Sequence, residues 1–476
     1  MNNSNNENMD IQNAGWGALF SNGNGLKATV LALGVMLHAT NVYLATTIMP
    51  SIIKEIGGLE YYAWNTTIFV VASVIGSVIS ANQIAKLGPL KAYQTGIIIF
   101  SIGTLICSLA PAMHILIFGR FVQGFGGGLL FALSYAMIRL IFNKNLWPRA
   151  MALVSGMWGV AAFSGPFLGG IFAEYKSWRW AFGSLLIICL FIFIVASIVL
   201  PKEKNAKNIP LVPYTKLILL CLAALAVSIG SVPKNVYANI AGVTISVLFL
   251  ILLVIAESKQ KTRLLPSGGY KISFPLGSKY AIMALLTIAT AIEIYVPYFA
   301  QIIYKFTPLE SGYLTVLVAA GWTLSSIIFS GYKGHSVNRL IYTGSFIMFI
   351  GLFGLCYNSL NSALSPVINI SLNCIFLLAI GMGIGMGWPH LLTGVFSLSP
   401  VGEEDLTSAS VTTVQLMATT FGAALAGLVT NIGGISSPGG IIGAESASIY
   451  LYGFFSITPL IALFILYFSK KEKDRF

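Results

Sequence analysis

The chain has 476 residues, of which 56% are hydrophobic and only 9% are charged, with a mean hydropathy of +0.84. A soluble domain carries roughly 25% charged residues, so this composition excludes a water-covered globule and leaves lipid as the covering solvent. The net charge of +12 does not point to nucleic acid, because the basic residues sit in short segments between apolar runs, where a membrane protein keeps the charges that set its orientation.

Apolar runs of about 20 residues recur along the chain, the length a helix needs to cross about 30 Å of hydrocarbon. None alternates with a period of two, as a barrel strand would. Fourteen spans are predicted, at 27–50, 62–85, 92–111, 115–141, 150–173, 180–200, 215–233, 236–256, 279–303, 310–331, 338–358, 366–396, 407–432 and 448–469. The first 25 residues lack the basic n-region and cleavage site of a secretory signal, so the first span is expected to act as its own uncleaved signal. With the N-terminus in the cytoplasm, 21 of the 27 basic residues fall inside, five fall outside, and Arg120 lies within a span. That bias predicts cytoplasmic termini at both ends.

Charged, proline-containing loops at 201–214 and 257–278 bracket two plain spans expected to hold no buried charge. The chain therefore reads as an all-α membrane protein of six, two and six spans. Its segments are a tail 1–26, a bundle 27–200, a linker 201–278 with two spans, a bundle 279–469 and a tail 470–476. Repeated halves with a site between them at mid-membrane are how many transporters are built.

Two ionisable residues lie deep in spans, Arg120 and Glu293. Charge in lipid is costly and marks function by default. Glu293, in Ala291-Ile-Glu-Ile-Tyr-Val-Pro-Tyr-Phe-Ala-Gln301, is the expected proton carrier. A hydrogen bond to a neighbouring helix is the plainer alternative. His38 and Asn41 are one turn apart and share a face, which suits a cavity wall or an interhelical contact equally. His390, in Gly387-Trp-Pro-His390, is expected to pack or gate, and His114 and His335 to sit near span ends. The aromatics Tyr43, Trp158, Tyr295, Tyr298 and Trp388, with Gln123 and Gln301, are candidates for the cavity lining, since aromatic faces hold aromatic and cationic ligands.

Glycines cluster at 124, 126, 127 and 128, at 165, 169 and 170, and at 381, 383, 385 and 387. Small residues let helices approach closely, and Gly165-Pro166 weakens its helix so that it can bend. None of these runs is a phosphate loop. The five cysteines, 107, 189, 221, 356 and 374, all fall in apolar runs without metal or disulfide spacing, so neither metal nor cofactor is expected.

Several motifs in order resemble the major facilitator superfamily, and within it the fourteen-helix drug:proton antiporters. Arg120-Phe-Val-Gln-Gly-Phe-Gly126 is similar to the family's fourth-helix motif, and Gly165-Pro-Phe-Leu-Gly-Gly170 to its fifth-helix antiporter motif, with Ala161 where a glycine is usual. Trp178-Arg-Trp-Ala-Phe182 resembles the entry to the sixth helix. Phe299-Ala-Gln301 with Thr307-Pro-Leu-Glu-Ser-Gly312 resembles the junction of the ninth and tenth. The resemblance covers about 27–470 and implies alternating access, with export of amphipathic compounds driven by protons.

Two departures stand out. Asn41 replaces the acid of the first-helix motif, and Ala85-Lys-Leu-Gly-Pro-Leu-Lys91 lacks the acid of the second loop. Coupling then falls to Glu293 or to the substrate's own charge, or the protein is a facilitator or importer. The expected protein is a monomeric exporter of drug-like or secondary-metabolite molecules in a bacterial inner membrane. A transporter of an endogenous metabolite such as a siderophore is the alternative, and Arg120 would suit an anionic one. A non-transporting receptor is a third reading, disfavoured because its cytoplasmic loops are short. No nucleophile–base pair in the spans suggests an enzyme.

Overall fold

A computed structural model describes residues 16–21, 23–143, 146–175, 177–202, 213–233, 235–259, 263–332, 334–361 and 365–473. The tail before residue 16, most of the loop 201–214 and the last three residues of the C-terminal tail lie outside the described residues. Among those described, every element is helical. In lipid a helix satisfies its own backbone groups and an open strand cannot.

In chain order the helices are α1 Trp16–Phe20, α2 Asn24–Ile56, α3 Trp64–Leu87, α4 Pro89–Ser108, α5 Met113–Ile141, α6 Trp147–Tyr175, α7 Trp178–Val199, α8 Tyr214–Ser231 and α9 Val236–Lys259. They continue as α10 Pro275–Ala289, α11 Val296–Ile303, α12 Pro308–Phe329, α13 His335–Leu360, α14 Pro366–Ser397, α15 Glu404–Ile432 and α16 Gly440–Lys473. Among the described residues, fourteen spans are long and apolar enough to cross a membrane, with α10 and α11 sharing one of them. The protein is a multi-pass membrane protein with the expected number of spans.

The chain divides into two compact units: Met1–Ala45 with Ala72–Val212, and Thr46–Val71 with Pro213–Phe476. In the first unit the glycines of α5 set the helix spacing. A methyl on Gly126 or Gly128 would collide with the backbone of Phe100 in α4 or Ser73 in α3, and one on Gly103 with Gln123. The Ser73 hydroxyl donates to the Gly124 carbonyl at 3.0 Å. In the second unit Gly381, Gly383 and Gly385 let α14 close on α12 and α13 in the same way. Apolar side chains gain little by leaving lipid for protein, so this close backbone packing holds the spans together.

Two expectations are corrected. The span at 279–303 is not one α-helix but is interrupted by a 3₁₀ segment, Thr290–Ile294. The two middle spans do hold buried charge: Lys216 is fully buried in α8, with its Nζ 2.7 Å from Glu257 Oε2 of α9. Burial of either charge is offset by the opposite charge beside it. Glu257 Oε1 also accepts the backbone N–H of Leu264 at 2.6 Å and of Leu265 at 3.2 Å.

Candidate functional site

Helix α5 carries the polar centre of the first unit. Arg120 is 1% exposed. Its Nη1 donates to Asn41 Oδ1 at 2.9 Å and to Gln123 Oε1 at 2.6 Å. Gln123 Nε2 donates to Thr104 Oγ1 at 2.8 Å, and that hydroxyl donates to the Phe100 carbonyl at 2.7 Å. Neutral oxygens thus solvate the guanidinium where an acid would be expected. Asn41 Nδ2 is buried without a hydrogen-bond partner among the described residues. The predicted residues Arg120, Asn41 and Gln123 are therefore brought together, but sealed from solvent.

Beside this network lies an aromatic group. The His38 ring is 5.4 Å from Phe131 and 6.2 Å from Trp158, and Phe131 and Trp158 meet edge-on at 6.3 Å. Tyr135 packs on Phe131 at 5.3 Å and its hydroxyl is 3.1 Å from Ser155 Oγ. Gly127 leaves room for the histidine, since a Cβ there would sit 2.8 Å from His38 Nδ1. Phe131 and Tyr135 were missed by the sequence reading. The signal was present: 120, 123, 127, 131 and 135 lie at i, i+3, i+7, i+11 and i+15, one face of a 3.6-residue helix.

Gly165 packs on α2, where its Cβ would meet Tyr43 Cβ at 2.5 Å. Gly165, Pro166, Gly169 and Gly170 are buried in α6, which runs through Pro166 without a break. Tyr43 is half-buried on the facing stretch of α2.

In the second unit Glu293 lies in the 3₁₀ segment and is half-buried, while its neighbours Ile292 and Ile294 are buried. Among the described residues it makes no hydrogen bond or ion pair. The break has a local cause. Pro297 has no N–H to give the Glu293 carbonyl four residues earlier, and its ring crowds that carbonyl. A 3₁₀ stretch inside a span keeps its backbone bonded i→i+3 and often marks a functional hinge.

The other second-unit candidates are more enclosed. Tyr295 is stacked on Tyr62 at 4.7 Å and 22°, and Tyr298 meets Tyr62 edge-on at 5.4 Å. Gln301 Nε2 donates to Ser311 Oγ at 2.8 Å, tying α11 to α12. Trp388 packs on Trp322 at 5.3 Å, and His390 Nε2 lies 2.9 Å from the Phe329 carbonyl. Tyr62, at the start of a span, was not among the predicted cavity residues.

The chain as a whole is similar to known proteins. The model of the Major Facilitator Superfamily matches residues 31–426. A probable multidrug-efflux transporter of Mycobacterium tuberculosis (strain H37Rv) is 33% identical over 412 residues, covering 84% of this chain and 87% of that protein. The multidrug transporter protein MdtP of Bacillus subtilis is 25% identical, over 85% of this chain and 75% of its own. Among solved structures, a POT-family peptide transporter bound to alafosfalin superposes with a TM-score of 0.67 at 13% identity, covering 92% of this chain and 94% of its own. A D-xylose–proton symporter superposes with a TM-score of 0.63 at 14% identity, over 92% and 96%. Those two structures share the fold alone; with the family match and the mycobacterial relative, they make this chain a member of the Major Facilitator Superfamily and a transporter rather than an enzyme.

Proposed function

We propose that the protein exports drug-like amphipathic compounds across a bacterial inner membrane in exchange for protons, with Glu293 as the proton carrier and both termini in the cytoplasm. The efflux reading is supported by the multidrug transporters it resembles at 33% and 25% identity. The observation that carries the coupling reading is the state of Glu293: an acid in a span, half-buried, on a helix break, with no protein partner among the described residues. A carboxyl without a fixed partner can exchange its proton for a cationic or polar ligand at little structural cost, which is the usual employment of acids in spans.

The other roles follow from the chemistry. Arg120 is a fixed positive charge held by neutral groups, and it biases the field of the protonation cycle. His38 and Trp158, with Phe131, offer aromatic faces to an apolar or cationic ligand. Tyr43 and Gln123 in the first unit, and Tyr295, Tyr298, Gln301 and Trp388 in the second, are the remaining cavity residues of this reading. Gly165, Pro166, Gly169 and Gly170 give α6 a pliable, closely packed stretch. The functional parts are a bundle 27–200, a linker 201–278 and a bundle 279–469, acting as a monomer.

The test is drug-triggered proton movement in proteoliposomes, with ethidium as the drug. The unaltered protein is expected to release protons as ethidium crosses, and Glu293→Gln to release none. Equal ethidium movement in both proteins without proton flux would sink the coupled reading. Proton flux triggered by an iron-chelating carboxylate and not by ethidium would favour an endogenous metabolite as cargo.

A further inference from the structure

The segment between α2 and α3 turns through Gly57 and Gly58, at φ +72° and +83°, and a short 3₁₀ turn Leu59–Tyr61. Its hydrogen bonds go to two helix ends. Trp64 Nε1 donates to the Ser228 carbonyl in the last turn of α8 at 3.2 Å. Asn431, in the last turn of α15, donates from Nδ2 to the Glu60 carbonyl at 3.2 Å and to the Ser231 carbonyl of α8 at 3.1 Å. Gly427 lets α15 reach this segment, since a Cβ there would sit 2.7 Å from the Ala63 Cβ. Below the knot α8 and α15 pack through Val227, Ala424 and Leu428.

We propose that α8, the first of the two middle spans, forms part of the outer gate of the transport path, with Trp64 and Asn431 as the positioning residues that latch it. The proposal rests on the orientation and transport reading given above, which place 57–63, 232–235 and 433–439 outside.

Two features make this closure reversible. Trp64 and Asn431 bind α8 through carbonyls of its last turn, and the last carbonyls of a helix lack intrahelical partners, so water can replace the latch on opening. Closure also carries a penalty. Tyr62 and Ser228 are 1% and 2% exposed, and their hydroxyls have no partner among the described residues. Nor do Thr67 Oγ1 and Asn431 Oδ1. Dry, unpaired polar atoms are costly, and parting the segment from α8 and α15 would wet them. The Tyr62 stack on Tyr295 and Tyr298 gives the apolar return for closing. Tyr295 directly follows the helix break at Glu293, so the stack and the proposed proton carrier share one segment of chain.

The experiment places a thiol at the latch as Ser228→Cys and applies a membrane-impermeant maleimide from outside the cell. Modification of the peptide is read by mass spectrometry above the background of the native cysteines. Labelling is expected to be slow in the otherwise unaltered protein. It should speed up about tenfold with Trp64→Phe and Asn431→Ala together, and by about threefold with Trp64→Phe alone, in proportion to the hydrogen bonds removed. The single variant keeps an aromatic ring at position 64 and leaves Asn431 intact, so it reports even if the double variant folds poorly. Ethidium added to the Ser228→Cys protein should change the rate as well, which a purely structural contact would not do. Fast labelling without the latch variants, or a rate that neither variant alters, would overturn the gate. A rate that responds to the variants but not to ethidium, in protein that still exports ethidium, would make the contact structural and overturn the gate; a rate that responds to ethidium without ethidium export would support the gate and remove the efflux reading.

Discussion

Two charges of the spans, Arg120 and Glu293, are held in opposite ways. Arg120 is sealed, with its guanidinium fixed by Asn41 and Gln123 and backed by Thr104. Glu293 is half-open and partnerless among the described residues, on a stretch where the helix has come apart. A sealed, hydrogen-bonded charge contributes to the fold and to the local field, and it cannot change state cheaply. An open, unpartnered one adds little to the fold and is free to change state. Structural and chemical work are thus divided between two residues of opposite sign.

The division is broken most severely by removing the cation. Arg120→Ala leaves the oxygens of Asn41 and Gln123 buried and unpaired beside a cavity, and it should cost about 4 kcal/mol of stability. Thermal unfolding in detergent should fall accordingly, and transport should disappear with it. Glu293→Gln predicts the reverse profile. With no partner to lose, stability should stay within about 0.5 kcal/mol, while proton release in proteoliposomes disappears. If the two variants lost stability equally, Glu293 would be structural and the contrast would fail.

What the sequence made legible follows the same division. Span number was legible because lipid imposes a length and an apolar composition on every crossing. The Arg120–Gln123 bond was legible because three residues is a local helical distance. Asn41 was legible as a polar span residue sharing a face with His38, but not as a partner of Arg120, since 79 residues separate the two and no local periodicity carries such a contact. The break at 290–294 was written in Pro297, whose missing N–H falls on Glu293, but a run of apolar residues around it read as one continuous helix. The Lys216–Glu257 pair was hidden for another reason: charges at span ends normally face water, and only the fold of 263–265 over α9 buries these two. Charge alone could not reveal the latch, which is made by an indole N–H, an amide and backbone carbonyls.

A gentler substitution sharpens the contrast from the sealed side. Asn41→Asp would place a carboxylate against Arg120 and remove the buried Asn41 Nδ2 that lacks a partner. A net gain of about 1 kcal/mol is expected, because desolvating a second charge offsets most of the attraction. The resemblance places an acid here in the antiporter family, so the same change offers the first unit a titrating group. Proton release in the Asn41→Asp, Glu293→Gln double variant should then partly return. No recovery in a stably folded double variant would show that the first unit's centre serves only as a fixed charge, and that coupling depends on the open acid alone.

The smallest effect expected concerns an acid outside the spans, Glu403, which is held as Arg120 is rather than as Glu293 is. Its carboxylate accepts the Ser267 N–H at 2.6 Å and the Ser267 hydroxyl at 2.7 Å, with Arg263 Nη1 at 3.6 Å. Those two hydrogen bonds, with the guanidinium adding to them, keep it below the usual carboxylate range. A depressed folded value means that the contact is complete above the unfolded value, about 4.3 for Glu, and is lost as pH falls through the folded one. The attachment of 263–267 should therefore be constant wherever the transporter works and loosen only in acid. Amide hydrogen exchange at Ser267 checks this. Corrected for its intrinsic pH dependence, exchange should be several-fold faster in Glu403→Gln than in the unaltered protein at neutral pH, and the two should converge only in acid, below the usual carboxylate range. Convergence already at pH 6 would mean that Glu403 titrates in the working range, and the open acid in the spans would no longer be alone in that property.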